Sequence, residues 1–374
     1  MTPSLLRACA SAVVLTCALP CQADSSVTVY GVLDSGLEVS RSGNGTVKRE
    51  VSGGAMGSRF GLRGAEDLGG GLSAVFRLEQ GLNLDDGTLG QGARGWGREA
   101  SVGLSSKALG TVQLGRLPTP YYAMSSYIDA FNWMGAGGLP ALTRSGAAVR
   151  QVLPNLINAR EDNAVGYVSP SLGGAELRAM VAAGEGSTSI GRAYGLSGRY
   201  LGGPVDVVAA YTRQDGAGDG SGSVSSFLAG GSFDFGMAKL FAGISDERNS
   251  CTTCTGALAR SSGVAGTNAS AFRVYNVGAR VPFGAMTAIV QLARVDDRSV
   301  YAVDPGSRDA TWATIGAEYA FSKRTLIYSA LGTIGNKNGS QYALGSGTAQ
   351  QPAGVVAAGN PRATTATIGI RHAF

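Results

Sequence analysis

The residues able to do bond chemistry are few and scattered. The 374-residue chain has one histidine, His372, close to its end. A Ser-His-Asp set, an HExxH pair or a histidine-built zinc site therefore has little to build on, and His372 reads as a strand-end residue. Cys251 and Cys254 stand in CTTC, with the other three cysteines (Cys9, Cys17, Cys21) confined to the first 21 positions. Zinc needs four ligands and no second pair follows. A redox centre would want a βαβ context that is missing. The pair reads as a small loop disulfide in an oxidising compartment, or as two free thiols. Asp85-Asp86 and Asp296-Asp297 fall in polar stretches as solvated acids. Gly135-Ala136-Gly137-Gly138 lacks the Lys-Ser/Thr of a phosphate loop. No enzyme, cofactor or metal is predicted.

What the chain does carry is alternation, clearest over residues 58–84, SRFGLRGAEDLGGGLSAVFRLEQGLNL. Phe60 and Leu62 share one face, with Arg59, Gly61 and Arg63 on the other. A Gly-rich reversal at residues 66–71 follows. In the second arm Leu72, Ala74, Phe76, Leu78, Leu82 and Leu84 alternate with Ser73, Arg77, Glu79 and Asn83. Period-2 patterning over about a dozen residues exceeds the usual strand of about 5–6. A tilted strand crossing a bilayer needs about 9–11, apolar toward lipid and polar toward a wet lumen. The hairpin predicts a transmembrane β-barrel.

Residues 1–23 read as a secretory signal, with Arg7 before an apolar run at 8–19 and a small residue, Ala23, at the cleavage point. Asp24 is the expected mature start. Cys21 raises a lipoprotein reading, against which stand Pro20 before it and the lack of a linker after it. The balance of 31 Lys and Arg against 26 Asp and Glu gives a net +5 without a basic run, so nucleic acid is not an expected partner. Glycine, at 58 residues, is roughly double its usual share of about 7%, which suits a protein of turns and small lumen-facing positions. No mature segment is apolar for the ~18 residues a transmembrane helix requires.

Strands are expected at 26–39, in the two arms of the hairpin, at 99–104 and at 111–115. After a break they resume near 163–169, 175–183, 192–201, 205–213, 225–233, 237–246, 271–281, 285–295, 311–321, 325–335 and 363–374, about 16 in all. A polar loop is expected at 40–57. Tight turns (172–174, 202–204, 234–236, 282–284, 322–324) alternate with long polar loops (214–224, 247–270, 296–310, 336–362), the layout of outer-membrane barrels. Residues 117–159 break the pattern with four prolines and the aromatics Tyr121, Tyr122, Tyr127, Phe131 and Trp133. Patternless stretches of this length are functional or disordered, and the aromatics argue against disorder.

Several separated motifs, in order, carry a resemblance: SVTVYGVLD at 26–34, SRFGLRGAEDLGGGL at 58–72, VGLSS with GTVQLGR at 102–116, YVSPSLGG at 167–174 and GIRHAF at 369–374. Together they resemble the Gram-negative trimeric porins of the Neisseria/Burkholderia/Comamonas type across the whole mature chain, 24–374. The resemblance implies an all-β, 16-stranded antiparallel barrel in the outer membrane, a homotrimer, and a third loop (117–159) folded into the lumen as a constriction. It implies outer-membrane lipid and lipopolysaccharide as surroundings, and recognition of Phe374 by the outer-membrane assembly machinery.

In anion-selective members of that family, arginines of the wall line the constriction. The matching positions are Arg59, Arg98 and Arg160, with Arg116 as a further candidate. Parity supports Arg59 and, if Val165 and Tyr167 face lipid, Arg160. Arg98 shares parity with Val102 and Leu104, so it must precede its strand or sit at a bulge. Glu99, Glu161 and Asp162 adjoin these arginines and could soften the field. The implied function is passive diffusion of small hydrophilic solutes with a preference for anions. The alternative is a barrel with a structural or adhesive role through its long loops and little conductance.

Overall fold

The computed structural model describes residues 26–42, 45–144, 150–151, 159–185, 191–216, 222–250, 270–298, 309–338, 340, 342–345 and 362–374. The expected leader at 1–23 and the Cys251/Cys254 pair lie outside them.

The strands are β1 Ser26–Ser42, β2 Gly45–Ser52, β3 Arg59–Gly69, β4 Leu72–Gly81, β5 Glu99–Ser106, β6 Gly110–Pro118, β7 Leu142–Arg144, β8 Arg150–Gln151, β9 Arg160–Val168, β10 Ala175–Ala182, β11 Ala193–Gly202, β12 Val205–Asp215, β13 Ser223–Asp234, β14 Lys239–Asn249, β15 Ser270–Phe283, β16 Met286–Asp297, β17 Ala310–Ala320, β18 Thr325–Asn336, β19 Tyr342–Leu344 and β20 Arg362–Ala373. Seventeen of them form one sheet, in which every strand pairing is antiparallel. The sheet closes where β20 pairs with β1 from Val32↔Ala373 to Arg41↔Thr364. β3 pairs with the first half of β1 and β2 with the second half. These two segments fill one place, so the barrel has 16 staves.

Two expectations are corrected here. The polar stretch at 40–57 is mostly strand: β1 runs on to Ser42 and β2 returns beside it. Only residues 53–58 leave the wall. They hook inward because the Asp34 carboxylate accepts the Ala55 and Met56 amides at 3.0 and 2.9 Å, while Ser58 Oγ accepts the Asp34 amide. Asp296 and Asp297 are likewise not loop residues but the end of β16.

The outward face is apolar. Val27, Val29, Val102, Leu104, Val165 and Tyr167 are all exposed, as the hydrocarbon-facing set of a spanning barrel must be. The buried apolar residues lie inside, where the third loop meets the wall. Within that loop come the short helix α1 Pro120–Met124, started by Thr119 accepting the Tyr122 amide, and two single 3-10 turns, Gly135–Gly137 and Leu139–Ala141.

The loop is pressed on the far wall by both packing and hydrogen bonds. Ile128 and Phe131 are fully buried. Ile128 fills the space left by Gly243, where an added Cβ would come within 2.7 Å of it. Asn276 Nδ2 donates to Ile128 O at 2.6 Å, and Gln291 accepts the Ala130 amide and donates to Gly137 O. Part of the glycine excess is thus room for the loop. The loop also pairs with a second one, through β7 against β19.

Candidate functional site

The loop leaves β6 beside the arginines singled out by sequence. Arg59 is the first residue of β3, and its Nε lies 3.9 Å from Glu79 Oε2. Arg98 stands in the bend just before β5, the first of the two places its parity allowed, and its Nε donates to Glu79 Oε1 at 2.6 Å. Tyr30 Oη donates to the same carboxylate at 2.9 Å. Arg160 opens β9; its Nε donates to Arg98 O at 2.7 Å and its Nη2 to Tyr122 Oη at 3.2 Å. The Arg160 guanidinium carbon also sits 4.8 Å from the Tyr122 ring centroid, within cation–π range.

Three cations thus converge on one acid and one phenol. Burial would push the Tyr122 phenol up, but Arg160, Arg98 and Arg59 outweigh it and hold the group below its ordinary range. The arginine side chains differ in access: 19% of Arg59 is exposed against 9% of Arg98. Of these two, Arg59 is the more exposed.

Arg160 reaches this cluster for a reason that parity did not contain. The β6–β9 register shifts between Gly115 and Leu117, and Asn163 on the opposing strand is left-handed at φ 55°. Such a bulge resets the alternation, so Val165 and Tyr167 facing out says nothing about residue 160. Its contacts with Arg98 and Tyr122 fix it instead.

Arg116 is placed apart. Its Nη1 meets Asp162 Oδ1 at 2.6 Å and its Nε donates to Gly97 O. Asp162 also takes Arg94 at 2.6 Å. The other two nearby acids are engaged as well. Glu99 pairs with Arg77 at 3.3 Å and accepts Ser101 Oγ, and Glu161 is buried, accepting Gln214 Nε2 at 3.2 Å. Of the carboxylates near the three converging arginines, only Glu79 contacts them directly among the described residues. Between the loop and this wall lies a cavity of about 480 Å³, lined in part by Arg63, Arg77, Glu99, Gln113 and Arg178.

The loop's own shape rests on Asp129. Its carboxylate accepts the amides of Phe131, Trp133 and Leu139 at 2.9, 3.0 and 2.8 Å, holding a turn in which Asn132 and Trp133 are both left-handed. Burial pushes this carboxyl up to about 6 despite those amides.

Glu79 could be read from the sequence as a wall carboxylate able to partner an arginine, but Tyr122 as the contact on the loop side and Asp129 were missed. The polar parity of Glu79 beside Arg77 was visible, but not which cations it would gather. His372 sits on β20, exposed, with Nδ1 2.8 Å from Thr325 Oγ1, and takes no part. Gly135–Gly137 forms one of the turns in the loop.

A closed barrel with an apolar exterior, a polar lumen and an inward loop narrowing it defines a channel of the bacterial outer membrane. Residues 9–339 match the family described as Gram-negative porin, and the chain belongs to that family. It is 31% identical over 94% of its length to outer membrane porin protein 32 of Delftia acidovorans, covering 95% of that protein. It is 28% identical to the major outer membrane protein P.IB of Neisseria lactamica, over 96% of this chain and 97% of the relative. A solved structure, the anion-selective porin from Comamonas acidovorans, superposes with a TM-score of 0.72 at 29% identity, over 94% of this chain and 100% of that one. The resemblance read from the motifs is confirmed. The chain is a non-enzymatic outer-membrane porin.

Proposed function

We propose that this porin passes small hydrophilic solutes with a preference for anions, and that Arg59, Arg98 and Arg160 set that preference. The observation that carries the reading is the gathering of these three guanidiniums around one carboxylate, Arg59 and Arg98 on Glu79 and Arg160 beside them on Arg98 O and Tyr122 Oη, with Glu99, Glu161 and Asp162 engaged elsewhere. The local surplus is positive, and a positive constriction favours anions. Arg116, neutralised by Asp162, has a minor part. The solved relative described as anion-selective points the same way.

Reversal potentials across planar bilayers under a KCl gradient test this. The expected sign is that of anion preference, and cation preference in the wild type would overturn it.

The barrel is further proposed to work as a trimer of separately conducting pores. Closure leaves no strand edge to pair, so association must use side-chain surfaces of the outer wall. Mature protein begins at Asp24 after removal of residues 1–23. Unboiled detergent samples should run as a large species, and bilayer currents should close in thirds; a protein monomeric in native membranes would contradict the assembly.

A further inference from the structure

The third loop brings an ionisable group of its own to the arginine cluster. Tyr122 stands in α1, held through both its amide and its carbonyl: Thr119 Oγ1 accepts the first at 3.3 Å, and Ser125 Oγ donates to the second at 2.8 Å. Its ring lies 4.8 Å from that of Trp133, centroid to centroid, and 4.8 Å from the Arg160 guanidinium carbon. Loop and wall together fix the phenol. Its oxygen accepts from Arg160 Nη2 at 3.2 Å. A guanidinium gives up no proton in a protein, so a proton lost at this contact is the phenol's own.

The charged groups that face the phenol are Arg160 of β9, Arg98 ahead of β5 and Arg59 of β3, with Glu79 of β4 behind the last two. Three guanidiniums against one carboxylate leave two positive charges in excess. A neutral phenol changes nothing in that balance. A phenolate turns the contact with Arg160 into a charge-assisted one and leaves a single charge in excess. The surroundings favour the ionised form, since the same three arginines hold the Tyr122 phenol below its ordinary range in spite of its burial.

Tyr127 shows what sets this position apart. Its ring stacks on Arg199, with 4.1 Å from guanidinium carbon to centroid, and its oxygen accepts from Arg199 Nη1 at 3.2 Å. Arg199 also donates to both oxygens of Asp206, at 2.8 and 2.9 Å. That stack is balanced in charge. Arg160 instead directs its donors to Arg98 O and to the phenol, so the Tyr122 stack is not.

We infer that Tyr122 is a selectivity-setting residue of this channel: by losing its proton among the three arginines it withdraws one positive charge and lowers the anion preference in alkaline medium. This role rests on the ion preference proposed above.

The test follows selectivity against pH for the full mature chain in planar bilayers under a KCl gradient. Between roughly pH 7 and pH 9.5 the anion-over-cation permeability of the wild type should fall about threefold, the loss expected of one nearby charge. Tyr122→Phe keeps the ring and its stack but has no proton to lose, and should hold its neutral-pH value throughout. Tyr127→Phe should fall as the wild type does. In parallel, the tyrosinate absorbance of wild type minus that of Tyr122→Phe should rise at lower pH than the absorbance of the remaining tyrosines. Cation preference of the wild type at neutral pH would overturn the underlying ion preference. Anion preference there with no fall in alkaline medium would overturn the role of Tyr122 alone. So would an equal fall in Tyr122→Phe, or a difference absorbance that rises no earlier than the rest. Should Tyr122→Phe fail to fold, the wild type still decides: its fall must coincide with the first rise in tyrosinate absorbance, and a fall without that rise would overturn the role.

Discussion

Arg98 Nε donates to Glu79 Oε1 at 2.6 Å while Arg59 Nε faces the other oxygen of the same carboxylate at 3.9 Å. One acid therefore holds two like charges side by side. Arg59, the more exposed of the two, is the one to remove first. A fixed charge roughly 7 Å from a permeating ion contributes about 0.6 kcal/mol at water's dielectric and about 2.4 kcal/mol at an effective value near 20. Arg59→Ala should thus lower anion-over-cation permeability by roughly threefold or more, since about 1.4 kcal/mol is tenfold. The screening length falls from about 10 Å at 0.1 M salt to about 3 Å at 1 M, so the preference should fade in concentrated KCl. An unchanged reversal potential in the variant would show that Arg59 does not control passage.

Glu79→Gln should move selectivity the other way. The side chain stays nearly isosteric while the one negative charge facing the cluster disappears. Anion preference should rise by a similar factor, provided Arg59 and Arg98 keep their places. A fall in anion preference would mean that the arginines had swung out of the lumen, and Tyr30, which donates to Glu79 at 2.9 Å, offers a fluorescence check of that movement.

The seat of the third loop should be sensitive to Gly243. A side chain there would collide with Ile128, since even a Cβ comes within 2.7 Å. Gly243→Leu should displace the loop from β14 and β15, and single-channel conductance should change with it. Normal conductance and an unchanged selectivity would show that the loop tolerates the intrusion. Asn276→Ala removes the 2.6 Å donation to Ile128 O and should act in the same direction with smaller amplitude.

Asp129 gives the loop a pH dependence of unusual sign. Its carboxyl is raised by burial to about 6, above the ~3.9 of an unfolded aspartate. The folded loop therefore holds the proton more tightly than the unfolded chain. That contribution is full below about pH 4 and is lost as pH rises through about 6. Thermal unfolding in detergent should show the loop, reported by Trp133 fluorescence, more stable at pH 5 than at pH 7.5. Asp129→Asn should flatten the difference; an equal slope in wild type and variant would assign it to other groups.

Assembly should depend on Phe374. Its amide donates to Gly31 O and its carbonyl accepts the Gly31 amide, both at 3.1 Å, so the last residue completes the seam between β20 and β1. Deleting it should reduce folded barrel while leaving export across the inner membrane intact. Surface levels equal to wild type would dismiss the idea.

Much of this protein was determined by its sequence alone. Alternation is a local property, and a lumen against a hydrocarbon exterior enforces it strand by strand. The 16 staves and the break at 117–159 could therefore be read without coordinates. So could the exclusion of Arg98 from the regular pleat, because Val102 and Leu104 left it no place there; that it precedes β5 rather than sitting at a bulge was decided by the fold. Tertiary structure decided what depends on partners distant in the chain. That Glu79 collects Arg59 and Arg98 follows from the register of β3, β4 and β5, and that Arg160 joins them follows from a bulge that cancels the parity argument. The β2 segment looked like a loop because its sequence, GTVKREVS, is polar. It is strand because β1 is long enough to pair with it beyond the point where β3 ends. Which acids stay near the pore was likewise undecidable locally. Glu99, Glu161 and Asp162 are withdrawn by Arg77, Gln214 and Arg116, and only the closed barrel brings those partners within reach.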